Sequence, residues 1–368
     1  MRVEEMLCST LKARLKKGAL RTLKTREGLI DFASNDYLGL ARSPLFCEKT
    51  FELFGKRQAK IACKMGSSGS RLLSGHHSYF SELEEKIARF HGFEAGLLCN
   101  SGYTANLALI ASLAQLPCRW TVDRSIHASM HDGLRLGHLR PTFFRHNDLD
   151  QLEERLTRES GPSFVLVEAV YSTDGSLAPL KEIAELCTRY GARLIVDEAH
   201  SIGVFGQKGR GRVAEEGLGK QVFAIVVTFG KALGCHGAIL LGSSLMKQYL
   251  INFARPFLYT TAMPLWLLCS IEASYALFPN MEAERSHVQA LMQLCPCARS
   301  PIQPIPMAGL RRAKLASHAL SAHGYDVRAL FHPTVSRGQE ILRLCLHAHN
   351  TAEELKHCLS IIQQWRAA

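Results

Sequence analysis

The chain has 368 residues, 47% of them hydrophobic and 21% charged, which suits a globular protein with one large domain and a smaller one rather than a disordered or fibrous chain. The longest apolar run, Thr261 to Leu277, is broken by Pro264 and Glu272 and is too short to span a bilayer, and Met1-Arg-Val-Glu-Glu-Met lacks a signal-peptide layout. A net charge of +11 favours anionic partners, but its basic residues are spread along the chain with no helix-turn-helix signature, so nucleic acid is not an expected partner.

Residues 1–27 read as one or two amphipathic helices, with Leu7, Leu11 and Leu15 on one side. They form an arm expected to pack against the body and leave its basic face in water. Leu29-Ile-Asp-Phe-Ala-Ser-Asn-Asp-Tyr-Leu-Gly-Leu40 follows as a short strand entering an Asx-type turn. Gly66-Ser-Ser-Gly-Ser-Arg-Leu-Leu-Ser-Gly75 is a small-residue loop before a helix starting near Tyr79; it matches neither a Walker loop nor a dinucleotide fingerprint. Gly96 to Cys99 is a short strand, and Asn100-Ser-Gly-Tyr-Thr-Ala-Asn106 opens a helix. Ser101 can cap that helix, and Gly102 lets its amides approach an anion. Trp120-Thr-Val-Asp123 leads to Ser125-Ile-His-Ala-Ser129, where His127 is either a satisfied loop histidine or a flat ring offered to a ligand; His131, His138 and His146 read as structural.

Three αβ units then share one punctuation. Phe164 to Glu168 ends at Ser172, Arg193 to Asp197 ends at His200, and Phe223 to Thr228 ends at Lys231, with a helix over Leu180 to Tyr190 and a shorter one after Arg212. Such spacing predicts right-handed crossovers and a mostly parallel sheet with ligands beyond its carboxyl ends, where Ser172, Asp197, His200, Thr228 and Lys231 should converge. Residues 245–280 read as helices interrupted at Pro256 and Pro264. Arg299 to Met307 reads as a connector or edge strand into a C-terminal α+β portion, with a helix over Leu310 to His323, a strand over Glu340 to Leu346 and a last helix from Thr351 to Trp365. The expected division is an N-terminal arm (1–50), a large domain (51–255) and a small C-terminal domain (256–368). Twelve scattered cysteines, many in apolar runs, fit reduced thiols and a cytoplasmic setting. Cys295-Pro-Cys297 has no second pair at zinc spacing, so no metal is expected.

Taken singly, each converging residue is as readily a turn residue or an ion-pair member. Together they match pyridoxal phosphate. A sheltered lysine holds the aldehyde carbon, a carboxylate keeps the pyridine nitrogen protonated, an imidazole stacks on the ring, and hydroxyls and amides hold the phosphate.

Several motifs add a resemblance that runs from about Arg21 to the C-terminus. They are Ser34-Asn-Asp-Tyr-Leu-Gly39, the glycine-serine loop, Asn100-Ser-Gly-Tyr103, His127-Ala-Ser129, His146-Asn-Asp148, Asp197-Glu-Ala-His200 and Thr228-Phe-Gly-Lys231. In this ordered set the chain resembles the α-oxoamine synthases, fold-type-I pyridoxal phosphate enzymes that condense an amino acid with an acyl thioester and release carbon dioxide. The resemblance implies a large domain with a mostly parallel central sheet and helices on both faces, a smaller α+β domain, and a homodimer with its active site at the subunit interface. It implies that Lys231 holds the cofactor and serves as base, that Asp197 pairs with the ring nitrogen, that His127 stacks on the ring, and that His200 bonds the phenolic oxygen. Ser172 and Thr228 would assist the ring oxygen or phosphate, Gly102 and Tyr103 would give backbone contacts, and Thr261 would come from the neighbouring subunit. Arg343 would clamp the amino acid carboxylate, as a bidentate fork can; Arg21, Asn35 and Thr334 match substrate-facing positions. Val226-Val-Thr-Phe-Gly-Lys231 and Tyr259-Thr-Thr-Ala-Met-Pro264 resemble the family's biotin-pathway branch, which implies L-alanine and a pimeloyl thioester of coenzyme A or acyl carrier protein as substrates. The alternatives are another pair, such as glycine with acetyl-CoA, and a non-catalytic basic α/β protein. Two positions depart from the family pattern. Phe80 stands where a histidine is common, and Phe331-His-Pro-Thr-Val-Ser336 lacks the arginine of the biotin branch, which bears on the acyl group and not on the cofactor.

Overall fold

Apolar runs that do not alternate become strands buried on both faces. The computed structural model describes residues 2–23, 25–59, 61, 65–158, 161–295, 297, 299–332 and 334–367. Among them run twelve strands in chain order: β1 Ile30–Asp31, β2 Ala95–Cys99, β3 Arg119–Asp123, β4 Thr142–Phe144, β5 Ser163–Glu168, β6 Arg193–Asp197, β7 Val222–Thr228, β8 Ala238–Gly242, β9 Ile302–Pro306, β10 Tyr325–Asp326, β11 Arg328–Leu330 and β12 Ile341–Cys345.

The chain gathers into two compact units. The larger holds Ser34–Gln303 and Cys345–Thr351; the smaller is assembled from Met1–Ala33, Pro304–Leu344 and Ala352–Ala368. The larger unit is built on a seven-stranded sheet of order β2-β8-β7-β6-β5-β3-β4. Its strands run parallel from β4 through β3, β5 and β6 to β7, whereas β8 is antiparallel to both β7 and β2. The sequence reading names neither β4 nor β8, so the mixed edge of the sheet is new.

Alternate residues of the central strands feed two apolar layers. Val165, Val167, Val196, Ile225 and Val227 join one, with Leu83 and Ile87 of the helix Ser78–His91 and Leu180 and Ile183 of the helix Leu180–Tyr190. Phe164, Leu166, Ile195, Ala224 and Val226 join the other, with Ala105 and Leu109 of the helix Gly102–Leu113. Each fully buried Val, Leu or Ile stabilises by roughly 1.5–3 kcal/mol, so helices cover both faces as the expected fold class requires.

The order of strands fixes where a ligand can sit. From β3 the chain moves to β4 on one side and returns to β5 on the other, which makes a switch point at the carboxyl ends of β3 and β5. Asp123, Glu168, Asp197 and Thr228 all end parallel strands and therefore lie along this edge.

The smaller unit holds the parallel pair β1-β10, the antiparallel pair β11-β12, most of the edge strand β9 and the helices Leu310–Ala322 and Ala352–Ala367. Pro304 and Pro306 lie on β9, an edge position where a missing N–H is tolerated. The N-terminal arm differs from expectation. Its helix Val3–Lys16 has no buried residue, and Leu7, Leu11 and Leu15 are each more than half exposed. The apolar stripe is present, but among the described residues it is left exposed. No helix of the described residues is long and apolar enough to cross a membrane.

Candidate active site

Asp197 closes β6 with 4% of its surface exposed. Its Oδ1 accepts the Ala199 N–H at 2.9 Å, and its Oδ2 accepts from Asn106 Nδ2 at 2.8 Å. Asn106 stands on the helix Gly102–Leu113, one turn beyond Gly102, and also donates to Ser129 Oγ at 3.0 Å. Ser129 Oγ lies 2.8 Å from His127 Nδ1, which also accepts the Ser129 N–H at 3.2 Å. With Nδ1 engaged as an acceptor, the neutral ring carries its proton on Nε2. Burial lowers the affinity of His127 for a second proton; the Asp197 charge opposes this and the Lys231 charge adds to it. A relay of hydrogen bonds thus joins the strand-end carboxylate to the imidazole.

Lys231 lies in the tight return from β7 to β8. Gly234 N–H donates to the Lys231 carbonyl at 2.8 Å and Cys235 N–H to the Phe229 carbonyl at 3.0 Å. Gly234 has φ +67°, and a Cβ there would lie 2.5 Å from the Ala41 nitrogen, so the turn needs glycine on both counts. Lys231 Nζ donates to Thr228 Oγ1 at 3.3 Å, and Thr228 Oγ1 is 3.5 Å from the Ala199 carbonyl. Thr228 also abuts the start of the helix Gly102–Leu113, where a Cβ on Gly102 would fall 2.4 Å from Thr228 Cγ2. Ser101 caps that helix by accepting the Thr104 N–H at 3.2 Å. The amides of Gly102 and Tyr103 head it, with no preceding turn of carbonyls to take them.

Asp197, His127, Thr228, Lys231 and Gly102 therefore form one linked cluster of the larger unit. Ser172 joins it through its N–H, which donates to Glu168 Oε2 at 3.2 Å. His200 is buried and places Nδ1 2.7 Å from the Tyr37 hydroxyl, which also lies 3.2 Å from Asn35 Oδ1. The Tyr103 hydroxyl bonds Asp132. The Thr261 carbonyl accepts from Asn100 Nδ2 at 3.0 Å, and the Thr261 side chain is exposed. Arg21, Thr334 and Arg343 belong to the smaller unit. Arg21 and Thr334 are exposed in irregular segments, and Arg343 is half-buried on β12 opposite Arg328. Phe80 is fully buried, with the Arg71 guanidinium 4.4 Å above its ring, and Phe331 lies 4.9 Å from Lys314 Nζ.

The sequence reading assigned no role to Tyr37, Asn106, Ser129 or Glu168, although each lies inside or beside a quoted motif. Asn106 falls one helical turn after Gly102, and Ser129 two residues after His127; those spacings were the available signal. His146, read as structural, bridges Asp123 Oδ1 at 3.2 Å and Ser176 Oγ at 2.8 Å across the switch point. Burial disfavours its charged form, but the bond and charge of Asp123 outweigh that and raise its proton affinity.

These residues fit pyridoxal phosphate. A carboxylate stabilised by two N–H donors suits a pyridinium, amides at a helix start suit a phosphate, and an amine in the same crevice suits an aldehyde carbon. The family model Aminotransferase class I and II matches residues 27–362. An 8-amino-7-oxononanoate synthase from Emericella nidulans is 38% identical over 91% of this chain and 89% of its own. Among solved structures, 8-amino-7-oxononanoate synthase from Francisella tularensis aligns with TM-score 0.78 at 29% identity, covering 92% of this chain and 98% of that one. A serine palmitoyltransferase from S. paucimobilis with bound PLP and myriocin aligns with TM-score 0.85 at 25% identity, covering 98% and 96%. Pyridoxal phosphate is accordingly the cofactor of this enzyme. The chain belongs to the aminotransferase class I and II family and, within it, to the α-oxoamine synthases of the 8-amino-7-oxononanoate synthase group.

Proposed function

We propose that the protein joins L-alanine to a pimeloyl thioester, on coenzyme A or acyl carrier protein, to give 8-amino-7-oxononanoate, the free thiol and carbon dioxide, a step of biotin formation. The observation that carries the reading is a run of hydrogen bonds from amine to carboxylate: Lys231 Nζ to Thr228 Oγ1 at 3.3 Å, Thr228 Oγ1 to the Ala199 carbonyl at 3.5 Å and the Ala199 N–H to Asp197 Oδ1 at 2.9 Å. Lysine and aspartate thus belong to one neighbourhood, whose chemistry the matched relatives name.

The bound cofactor supplies an electron sink for the charge left on the substrate Cα when its proton and then its carboxylate depart. Lys231 would hold the cofactor at its aldehyde carbon, and its amine would be the base for the substrate Cα proton. Asp197 holds the ring nitrogen protonated, and Asn106 and Ala199 keep it oriented as an anion. His127 would stack on the ring, its tautomer set by the Ser129 N–H at Nδ1. His200 donates to the phenolic oxygen; Ser172 and Thr228 support that oxygen or the phosphate. The amides of Gly102 and Tyr103 receive the phosphate, with Thr261 of a second subunit completing it in a homodimer. Arg343 would bind the amino acid carboxylate, Arg21 and Thr334 would serve the acyl substrate, and Asn35 is a further substrate residue. The setting is the cytoplasm.

A matrix of alanine, glycine and serine, each with pimeloyl and acetyl thioesters, tests the assignment. Alanine with the pimeloyl thioester should give the highest kcat/KM, and Lys231→Ala should abolish turnover. Preference for glycine with acetyl-CoA would move the enzyme to the glycine C-acetyltransferase reaction and retain the cofactor site.

A further inference from the structure

Glu168 ends β5 as the register partner of Asp197 at the end of β6. Paired residues of adjacent parallel strands project to the same face, so two carboxyl groups share this part of the crevice. Glu168 is 2% exposed. Its Oε2 accepts the Ser172 N–H at 3.2 Å, while its Oε1 is buried and without a hydrogen-bond partner. Asp197, by contrast, has an N–H donor on each oxygen.

As register partners that are both buried, the two carboxyl groups lie where each disfavours ionisation of the other. Burial foremost, and then the Asp197 charge, push the Glu168 carboxyl well above the ordinary range; Lys231 and the amides of Ser172 and His127 pull the other way and do not prevail. The buried Tyr171 hydroxyl, also near Asp123, adds no positive charge. Lys231 is the basic side chain whose charge reaches Glu168; His127 meets it through its backbone amide, and its ring is itself held neutral by burial.

We propose that Glu168 is a proton-bearing positioning residue of the cofactor site. Its neutral carboxyl confines the local negative charge to Asp197, and its O–H is a hydrogen-bond donor rather than a second anion. A second anion would hold Lys231 as the ammonium and compete with the ring nitrogen for it. A neutral acid leaves the amine easier to free and the ring nitrogen with one counter-ion. The idea rests on the crevice being the pyridoxal phosphate site, and not on which amino acid or thioester is used.

Infrared spectroscopy of the purified enzyme, with and without cofactor and without substrates, reads the proton directly. At neutral pH the wild type should show the carbonyl stretch of a protonated carboxyl, shifted by 13C-glutamate labelling and absent from Glu168→Gln. The pH midpoint of the bound cofactor's absorbance should move by less than about half a unit in Glu168→Gln, because no charge is removed. Glu168→Leu, which has no donor, should turn over at least about tenfold more slowly than Glu168→Gln. Loss of the labelled band from the wild type, a midpoint shift of about one unit or more in Glu168→Gln, or equal turnover of the Gln and Leu variants would each overturn the proposal. Run in Glu198→Gln, which removes the other buried glutamate whose carboxyl is pushed up to about 7, the labelled spectrum assigns the band even if a Glu168 variant misfolds, and the choice of substrates does not affect it.

Discussion

The Tyr37 hydroxyl lies 2.7 Å from His200 Nδ1, a buried bond between residues 163 positions apart. Whatever occupies Nδ1 determines what Nε2 can do, since a neutral imidazole has one donor and one acceptor nitrogen. When Tyr37 donates to Nδ1, Nε2 carries the proton and is the donor that the proposed role of His200 requires. Tyr37→Phe keeps the ring and its 20° stack on His347 but loses that bond. Turnover should fall by roughly fivefold to tenfold, the worth of one buried hydrogen bond, with little change in melting temperature. The absorbance maximum of the bound cofactor should also shift. An unaltered spectrum together with unaltered turnover would refute this role.

Asn106 couples the two sides of the cofactor site, since one side-chain nitrogen serves both Asp197 and Ser129. Asn106→Ala removes a donor from a buried carboxylate, a loss of about 1.5–3 kcal/mol. The cofactor should therefore bind at least about tenfold more weakly, measured by absorbance titration of the apo-enzyme. Binding at wild-type strength would mean that Asp197 holds its place without Asn106.

Gly102 is required by contact and not by backbone angle. A Cβ there would sit 2.4 Å from Thr228 Cγ2 and 3.5 Å from Thr228 Cβ. Gly102→Ala should destabilise the fold by about 1–3 kcal/mol, as overpacking does. Adding Thr228→Ser, which deletes the offending methyl, should restore most of that loss in urea unfolding. No recovery in the double variant would place the strain elsewhere.

His91 makes stability depend on pH. It is 4% exposed, and its Nε2 meets the Tyr275 hydroxyl at 2.9 Å. Burial first, and the Arg210 charge second, push it down from an ordinary 6.5 to about 3. The folded state therefore keeps this ring neutral where the unfolded chain takes a proton. Its contribution is intact above 6.5 and declines as pH falls from there towards about 3, at up to about 1.4 kcal/mol per pH unit. His91→Gln should flatten the acid limb of a stability–pH curve from urea melts between about pH 4 and 6. Parallel curves for the two proteins would exclude His91 as the titrating group.

Local chemistry made much of the molecule legible. The runs Phe164 to Val167, Leu194 to Val196 and Phe223 to Val227 are apolar throughout, and each closes on a polar residue; both features survive as strands ending at one edge of the sheet. The brief strand β4 and the reversal at β8 escaped reading, because Thr142–Phe144 is too short for a pattern and an apolar run carries no sign of its direction.

By itself the sequence determined the cofactor chemistry: which residues close the strands, where the lysine lies among glycines, and which helix start is open to an anion, all of them matters of neighbours along the chain. Tertiary structure alone decided that Asn106 reaches Asp197, that Tyr37 reaches His200, and that Glu168 and Asp197 are register partners. Those relations join positions 91, 163 and 29 residues apart. Contacts over such separations depend on strand order and register, which form when the whole core packs and leave no local trace in the sequence.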